Sequence, residues 1–306
     1  MKKTYVITTN KLIFDLFNVA FNEEDVKIDK DLINGEWHEY YYFEFMYISS
    51  KNCSFKVRIS SSIKDYLRFT IYEKMLLFIL VSNARQTDGD NHFITMRKLR
   101  NIRGLKDNSL MTYNCYKTAL DRLTNKKIKM IPFTGANNYI IKKINCNILN
   151  ISDVKYNKSR IMEFSYCFND LETSLVNNSQ SIGSFYNPFA FIFKKYFAFQ
   201  LCLHLMRLLS LNKIKEVKYK EFSYQKMLKQ IHKVDQQGFI ENINYYDYIA
   251  TSEKKQSDLL KKSIEDLEII LSNFCKDGLI KDYSISNLRT FKYLRDDEVK
   301  ISIRFT

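Results

Sequence analysis

FTIYEKMLLFIL (residues 69–80), ITMRKLRNIRGL (94–105) and YKTALDRLTNKKI (116–128) decide how this chain is read. From Thr70 onward, Ile71, Met75, Phe78, Ile79 and Ser82 fall at helical spacing, and the polar run Gln86-Thr87-Asp88-Gly89-Asp90 ends that helix. Phe93-Ile94 suits a short strand, and Thr95 stands as the cap of a second helix with Leu99 and Ile102 inward and Gly104 as its stop. After the turn Lys106-Asp107-Asn108, Ser109 caps a third helix carrying Tyr113, Tyr116, Leu120 and Leu123 on one face. Lys126 to Ile131, a tip at Thr134 to Asn138 and a returning run Tyr139 to Ile148 are then expected to form a hairpin. Helix, short strand, helix, turn, helix and hairpin is the order of a winged helix, with that hairpin as the wing.

The same order recurs after residue 190. An apolar helix (Phe191 to Leu211) precedes Val217-Lys218-Tyr219, a helix capped near Ser223 with Met227, Leu228 and Ile231 inward, an insertion, and a helix from Ser257. That last helix places Leu260, Ile264, Leu267, Leu271 and Phe274 on one stripe, and strands follow at Leu279 to Ile285 and Glu298 to Phe305. Two copies of one unit account for most of the chain. The first residues read differently: a strand (Tyr5 to Thr8), a helix (Asn10 to Phe21), and aromatic strands at Trp37 to Ile48 and Ser54 to Ile59, with Asn34-Gly35 and Lys51-Asn52 as turns. The expected fold class is therefore α+β and helix-rich, two tandem winged-helix domains with a small N-terminal α/β extension. The boundaries fall at 1–69 for the extension, 70–176 and 189–306 for the two domains, and 177–188 for the linker.

Composition agrees with this. In 306 residues, 45% are hydrophobic and 15% aromatic, enough for packed cores, while 7 Gly and 2 Pro are too few for a chain built of tight turns. No apolar leader follows Met1-Lys2-Lys3, and Lys194, Lys195, His204 and Arg207 interrupt the most apolar stretch, so neither secretion nor a membrane span is expected and the protein is placed in the cytoplasm. The six cysteines, at 53, 115, 146, 167, 202 and 275, form no CxxC pair, which argues against a zinc knuckle or a disulfide framework; no metal or cofactor is expected.

The net charge of +14 is unevenly spread. Residues 71–150 hold 14 basic against 5 acidic residues and 191–306 hold 21 against 15, while 1–70 are balanced at 10 and 10. Concentrated positive charge on helix-turn-helix units points to double-stranded DNA, because a winged helix puts its third helix in the major groove and its hairpin on the neighbouring backbone. In the first copy the groove-facing candidates are Asn108, Ser109, Thr112, Asn114 and Lys117, with Arg122 near the helix end. Arg97, Lys98, Arg100, Arg103 and Lys106 suit phosphates, and Lys126, Lys127, Lys129, Lys142 and Lys143 flank the hairpin. In the second copy Lys254, Lys255, Lys261 and Lys262 near the helix start and Arg289, Lys292 and Arg295 in the hairpin reach towards a backbone, although Glu265, Asp266 and Glu268 on the same helix repel phosphate. Tyr40, Tyr41, Tyr42, Phe43, Phe45 and Tyr47 read either as a base-stacking platform or as a sheet packed on a helix or another subunit.

The first-copy segments quoted above, with LLKKSIEDLEIILSNF (259–274) and the closing DDEVKISIRF (296–305), resemble the plasmid replication initiators of the Rep_3 kind over residues 70–306. The resemblance lies in element order and spacing rather than in a short diagnostic motif. It implies DNA replication initiation by binding of repeated origin sequences, a monomer–dimer switch and recruitment of host replication proteins, without catalysis by the initiator. Residues 1–70 have no counterpart in it, and the acidic third helix of the second copy departs from it. A winged-helix transcriptional regulator and a protein-interaction module remain alternatives.

Enzyme chemistry finds little support. The histidines, at 38, 92, 204 and 232, include no His-x-His pair of the kind rolling-circle nucleases use to hold a cation, and no phosphate-binding glycine loop or nucleophile elbow occurs. His204-Leu205-Met206-Arg207, with His232 and Tyr245, Tyr246 and Tyr248 downstream, is the nearest approach to a tyrosine recombinase, but it lies in an apolar helix.

Overall fold

A computed structural model describes residues 7–19, 21–50, 53–87, 89–102, 110–134, 144–158, 160–171, 181–185, 195–214, 217–234, 245–286 and 294–306. The chain divides into two compact units, residues 6–181 and residues 182–306 with 1–5.

In the first unit, strand β1 (Ile7–Asn10) and helix α1 (Lys11–Phe17) lead into β2 (Lys27–Ile33), β3 (Glu36–Ser50) and β4 (Cys53–Ser61). Asn34 and Gly35 turn β2 into β3 with φ of 53° and 88°, the left-handed pair that a two-residue hairpin of this twist requires. Helix α2 (Ile71–Ala84) follows, then β5 (His92–Thr95), α3 (Met96–Ile102), α4 (Leu110–Thr124), β6 (Lys127–Thr134), β7 (Ile144–Asn147), β8 (Asn150–Asn157) and β9 (Arg160–Cys167). Every residue of α2 from Glu73 to Ala84 is buried. An apolar helix without a polar side belongs at the centre of a domain, and here α4 presents Tyr116, Ala119, Leu120 and Leu123 to the same core.

Strands β2 to β9 sort into two sheets, and this corrects the sequence reading. The pair β6 and β7 was expected to be the wing. Instead β6 pairs antiparallel with β4, Val57 opposite Met130 and Ile59 opposite Ile128, giving the five-stranded order β2-β3-β4-β6-β7. The wing is the next hairpin: β9 pairs with both β5 and β8 in the order β5-β9-β8. The physical reason is register. Ile128 and Met130 alternate onto the face that carries Phe43, Tyr47, Phe55, Val57 and Ile59, all buried, so β6 completes a core that β2 to β4 cannot close alone. Residues 27–61 are for the same reason no detachable extension, since β2, β3 and β4 share a sheet with β6 and β7 across the expected boundary at 69/70.

The second unit keeps the order as expected. After β10 (Ser181–Phe185) come α5 (Tyr196–Ile214), β11 (Tyr219–Ser223), α6 (Tyr224–Val234), a short α7 (Tyr245–Ala250), α8 (Glu253–Lys276), β12 (Ile280–Ser286) and β13 (Lys300–Phe305). The sheet order β11-β13-β12 is equivalent to β5-β9-β8, so both units carry a winged helix with its last strand in the middle. Residues 197–206 of α5 are buried without interruption, the counterpart of α2. On α8, Leu260, Ile264, Leu267, Leu271 and Phe274 are all buried, as the stripe requires, and Gly278 at φ 69° closes the helix.

His204 lies in the buried run of α5, where burial and the nearby Arg207 guanidinium lower its pKa from 6.5 to about 4. It is a neutral core side chain of the second unit. Tyr248 is buried as well. Because the folded pKa lies below the unfolded one, the stabilisation is complete above pH 6.5 and is lost as pH falls towards 4. The loss is expected to reach about 3 kcal/mol, and thermal melts between pH 7 and 4 should show a flatter pH dependence for His204→Leu than for the unaltered chain.

A second buried site joins the helices of the first unit to its sheet. Glu73 accepts from the Thr70 backbone N–H at 2.8 Å and from Arg122 Nε at 2.9 Å, and pairs with Lys126 Nζ. Glu73 and Lys126 are fully buried. Glu73→Ala would strand both cations and should lower stability by about 3–5 kcal/mol in urea unfolding. A loss under 1 kcal/mol would mean the site rehydrates freely.

Candidate nucleic-acid interface

The surface that a winged helix offers to DNA is built here from α3, α4 and the β8–β9 hairpin. Thr95 caps α3, its Oγ accepting the Lys98 N–H at 3.0 Å, and Arg97 is exposed on that first turn. On α4 the exposed positions Asn114, Lys117, Thr118 and Asp121 lie opposite the buried Tyr116, Ala119, Leu120 and Leu123. The hairpin carries Lys155, Lys158 and Arg160 around its end, with Lys158 at φ 50° and Asn157 paired opposite Arg160. Tyr113 of α4 holds this hairpin in place: its hydroxyl oxygen accepts the Ile161 backbone N–H at 2.9 Å, and the Arg160 guanidinium lies 5.9 Å from its ring centroid. A wing cation is thereby set beside the exposed face of α4.

Several residues singled out from the sequence belong elsewhere. Lys126 is fully buried on Glu73 and is no phosphate ligand. Arg122 is turned inward too, donating to the backbone carbonyls of Asp65 at 2.6 Å and Arg68 at 2.8 Å besides Glu73. A lysine- and arginine-rich helix end looks exposed in sequence, but here both cations face Glu73. Lys98 is half-buried, with its Nζ on the side-chain oxygen of Asn83. Asn83 in turn donates to the Phe93 carbonyl at 3.1 Å and to the Tyr166 hydroxyl at 2.8 Å, so Lys98 ties α3 to α2 and the wing strand. Lys127 and Lys129 lie on β6, on the five-stranded sheet rather than on a wing. Arg100 is half-buried on α3. Arg103, Lys106, Asn108, Ser109, Lys142 and Lys143 lie outside the described residues, and Thr112 falls in α4 where no side chain is described.

Sequence reasoning missed Lys155, Lys158 and Arg160 because it placed the wing one hairpin too early. The signal was present in the turn Asn157-Lys158-Ser159-Arg160 between two alternating runs.

In the second unit, Ser252 caps α8, and Lys254, Lys255, Lys261 and Lys262 are exposed within its first half. Asp266, expected among the exposed acids, is buried and paired with Lys195 at 2.7 Å. Glu265 and Glu268 are exposed, but they lie three turns or more from the helix start, and the first turns of a recognition helix are the ones that meet bases. The hairpin base docks there, with the Leu294 N–H donating to Ser257 Oγ at 2.9 Å and Arg295 3.6 Å from Glu253. Arg289 and Lys292 lie outside the described residues.

Residues 57–181 match the family model described as Initiator Replication protein, WH1. That segment is similar to the WH1 domain of initiator replication proteins. It runs from β4 through α2, α3 and α4 to the strands of the wing, and so includes β6 and β7 as part of the domain. A search of curated proteins found no match. Among solved structures, domains 2 and 3 of RctB are similar at 14% identity and a TM-score of 0.46, over 87% of this chain and 91% of that one. A selenomethionine form of the same domains gives 12%, 0.42, 96% and 98%. The Pi initiator protein in complex with iteron DNA gives 14% and 0.38, over 78% of this chain and 91% of that one. With TM-scores under 0.5, these likenesses carry no weight for the fold or function of this chain. Among the described residues, no helix is long and apolar enough to cross a membrane, and no three His, Cys, Asp or Glu side chains group as a metal site.

Tyr113→Phe should remove the acceptor for the Ile161 N–H at a cost of about 1 kcal/mol. The expected readout is faster amide hydrogen exchange at residues 158–163, with α2 amides unchanged.

Proposed function

We propose that this protein is a replication initiator that binds repeated double-stranded origin DNA through both winged helices. The observation that carries the reading is that the WH1 segment, residues 57–181, folds with the exposed face of α4 and the cations of β8–β9 brought side by side by Tyr113. In this arrangement α4 enters the major groove with Asn114, Lys117 and Thr118 towards the bases. Arg97 on α3 and Lys158 and Arg160 on the wing take the flanking phosphates, the division of labour expected between reading and positioning contacts. The second unit adds Lys254, Lys255, Lys261 and Lys262 at the start of α8, with Arg295 nearby.

A homodimer and contacts with host replication proteins complete the proposal. The β2–β3 hairpin supports self-association, since Ile28, Leu32 and Trp37 are exposed on the continuation of the core face of the sheet. The protein acts in the cytoplasm and needs no metal or cofactor for this role.

Selection of bound fragments from the source DNA, at moderate salt, tests the reading directly. Short tandem repeats beside the coding sequence are expected; a single palindrome near a promoter would make the protein a transcriptional regulator instead. On such a repeat, Arg97→Gln and Arg160→Gln should weaken binding to all sequences and reduce the slope of affinity against salt by about 1 each. Asn114→Ala should change which sequences are preferred. Equal losses on every DNA from all three changes would overturn the placement of α4 in the groove.

A further inference from the structure

The five-stranded sheet has an outer face that the duplex reading leaves unused. Alternation puts Phe43, Tyr47, Phe55, Val57, Ile59, Ile128 and Met130 inward, so their sequence neighbours point the other way. Cross-strand register arranges these neighbours in rows. Tyr42 lies between Lys27 and Ser60, and Lys127 between Ser60 and Asn147. Glu44 lies beside Arg58, followed by Lys129 and Asn145.

The centre of this face is a preset planar surface. The Arg58 guanidinium lies 3.9 Å from the centroid of the Tyr42 ring, and Tyr40 follows at 6.2 Å from Tyr42. Glu44 fixes the guanidinium through Nε and Nη2, both at 3.0 Å, and Asp29 lies 3.6 Å from Nη1. The Tyr40 hydroxyl donates to Asp29 at 3.0 Å. Glu44 is further neutralised by Lys56 at 2.8 Å. The acids of this cluster are thus committed to holding Arg58, while Lys127 and Lys129 make no ion pair among the described residues. Lys27 and Lys56, which pair with Glu44 at 3.9 Å and 2.8 Å, stand on the same face, so the charge left to border the planar centre is chiefly that of Lys127 and Lys129.

We propose that this face binds single-stranded DNA. Bases stack on the Arg58–Tyr42 plane and on Tyr40, and Lys56, Lys127 and Lys129 follow the phosphates. The chemistry selects a single strand over a duplex: aromatic and guanidinium planes within a sheet can only be met by bases that are not stacked on one another. The face belongs to a different sheet from the β8–β9 hairpin and uses none of the residues assigned to the duplex, so this inference does not rest on the duplex reading and can fail independently of it.

The test uses the full chain and a fluorescently labelled oligo(dT), which cannot form a duplex, followed by anisotropy at several salt concentrations. Binding is expected, and the combined variant Lys56→Gln, Lys127→Gln and Lys129→Gln should weaken it by roughly tenfold or more while leaving affinity for duplex repeats unchanged. Photo-crosslinking of an oligonucleotide carrying 5-iododeoxyuridine should label the peptide containing Tyr40 and Tyr42. An oligo(dT) affinity unaffected by the triple variant, parallel loss of duplex binding, or crosslinks confined to residues 96–124 would each overturn the proposal. Arg97→Gln serves as the counter-variant, expected to lower duplex affinity and leave oligo(dT) binding intact.

Discussion

Glu73 is the third residue of α2, and its carboxylate is the point at which the first unit is tied together. Through the Thr70 N–H it completes the cap of its own helix, whose Thr70 Oγ accepts the Glu73 N–H at 3.3 Å. Through Arg122 it takes hold of the end of α4, and through Lys126 the start of β6. Arg122 carries the tie further, to the carbonyls of residues 65 and 68 and over the ring of Tyr66, which lead from the sheet into α2. Burial pushes the Lys126 ammonium below its ordinary pKa range, so a charge there is tolerable only because Glu73 faces it. Such a cluster contributes less to net stability than to uniqueness, since apolar side chains could fill the space in several ways and this ion network fits in one.

That tie explains why the two winged helices differ. Both bury an apolar first helix on all sides and both place the last strand centrally. The first unit, however, inserts β6 and β7 between its third helix and its wing and donates them to the sheet begun by β2 to β4. The second has the short α7 between its second and third helices. The inserted strands give the first unit a second broad surface, separate from its helix-turn-helix, and it is there that Lys127 and Lys129 lie.

Charge follows the same partition. Of the cations concentrated in residues 71–150, Arg122 and Lys126 serve the core and Lys98 holds the junction of α3 with α2. Lys127 and Lys129 border the sheet, which leaves Arg97 and Lys117 as exposed cations of the described helix-turn-helix. The wing restores what those losses remove by adding Lys158 and Arg160. In the second unit, the pairing of Asp266 with Lys195 takes one acid from the surface of α8, while Glu253, which faces Arg295, and Asp258 stay exposed among the lysines of its first half.

The sequence by itself determined the helices, because their signals are local: Thr95 and the periodic Tyr116, Leu120 and Leu123 specify caps and faces within a few residues. The tandem winged-helix order and the Asn34-Gly35 turn were legible for the same reason. The similarity of the segment 57–181 to initiator WH1 domains was legible in the element order around α2 to α4. Only the tertiary structure decided which strands pair, since β6 and β8 both follow a turn with alternating apolar residues, and their partners β4 and β9 are chosen by which core face each completes. It likewise decided which cations reach solvent. A lysine's fate depends on whether a buried carboxylate waits for it some fifty residues away, as Glu73 does for Lys126, and no local pattern encodes that.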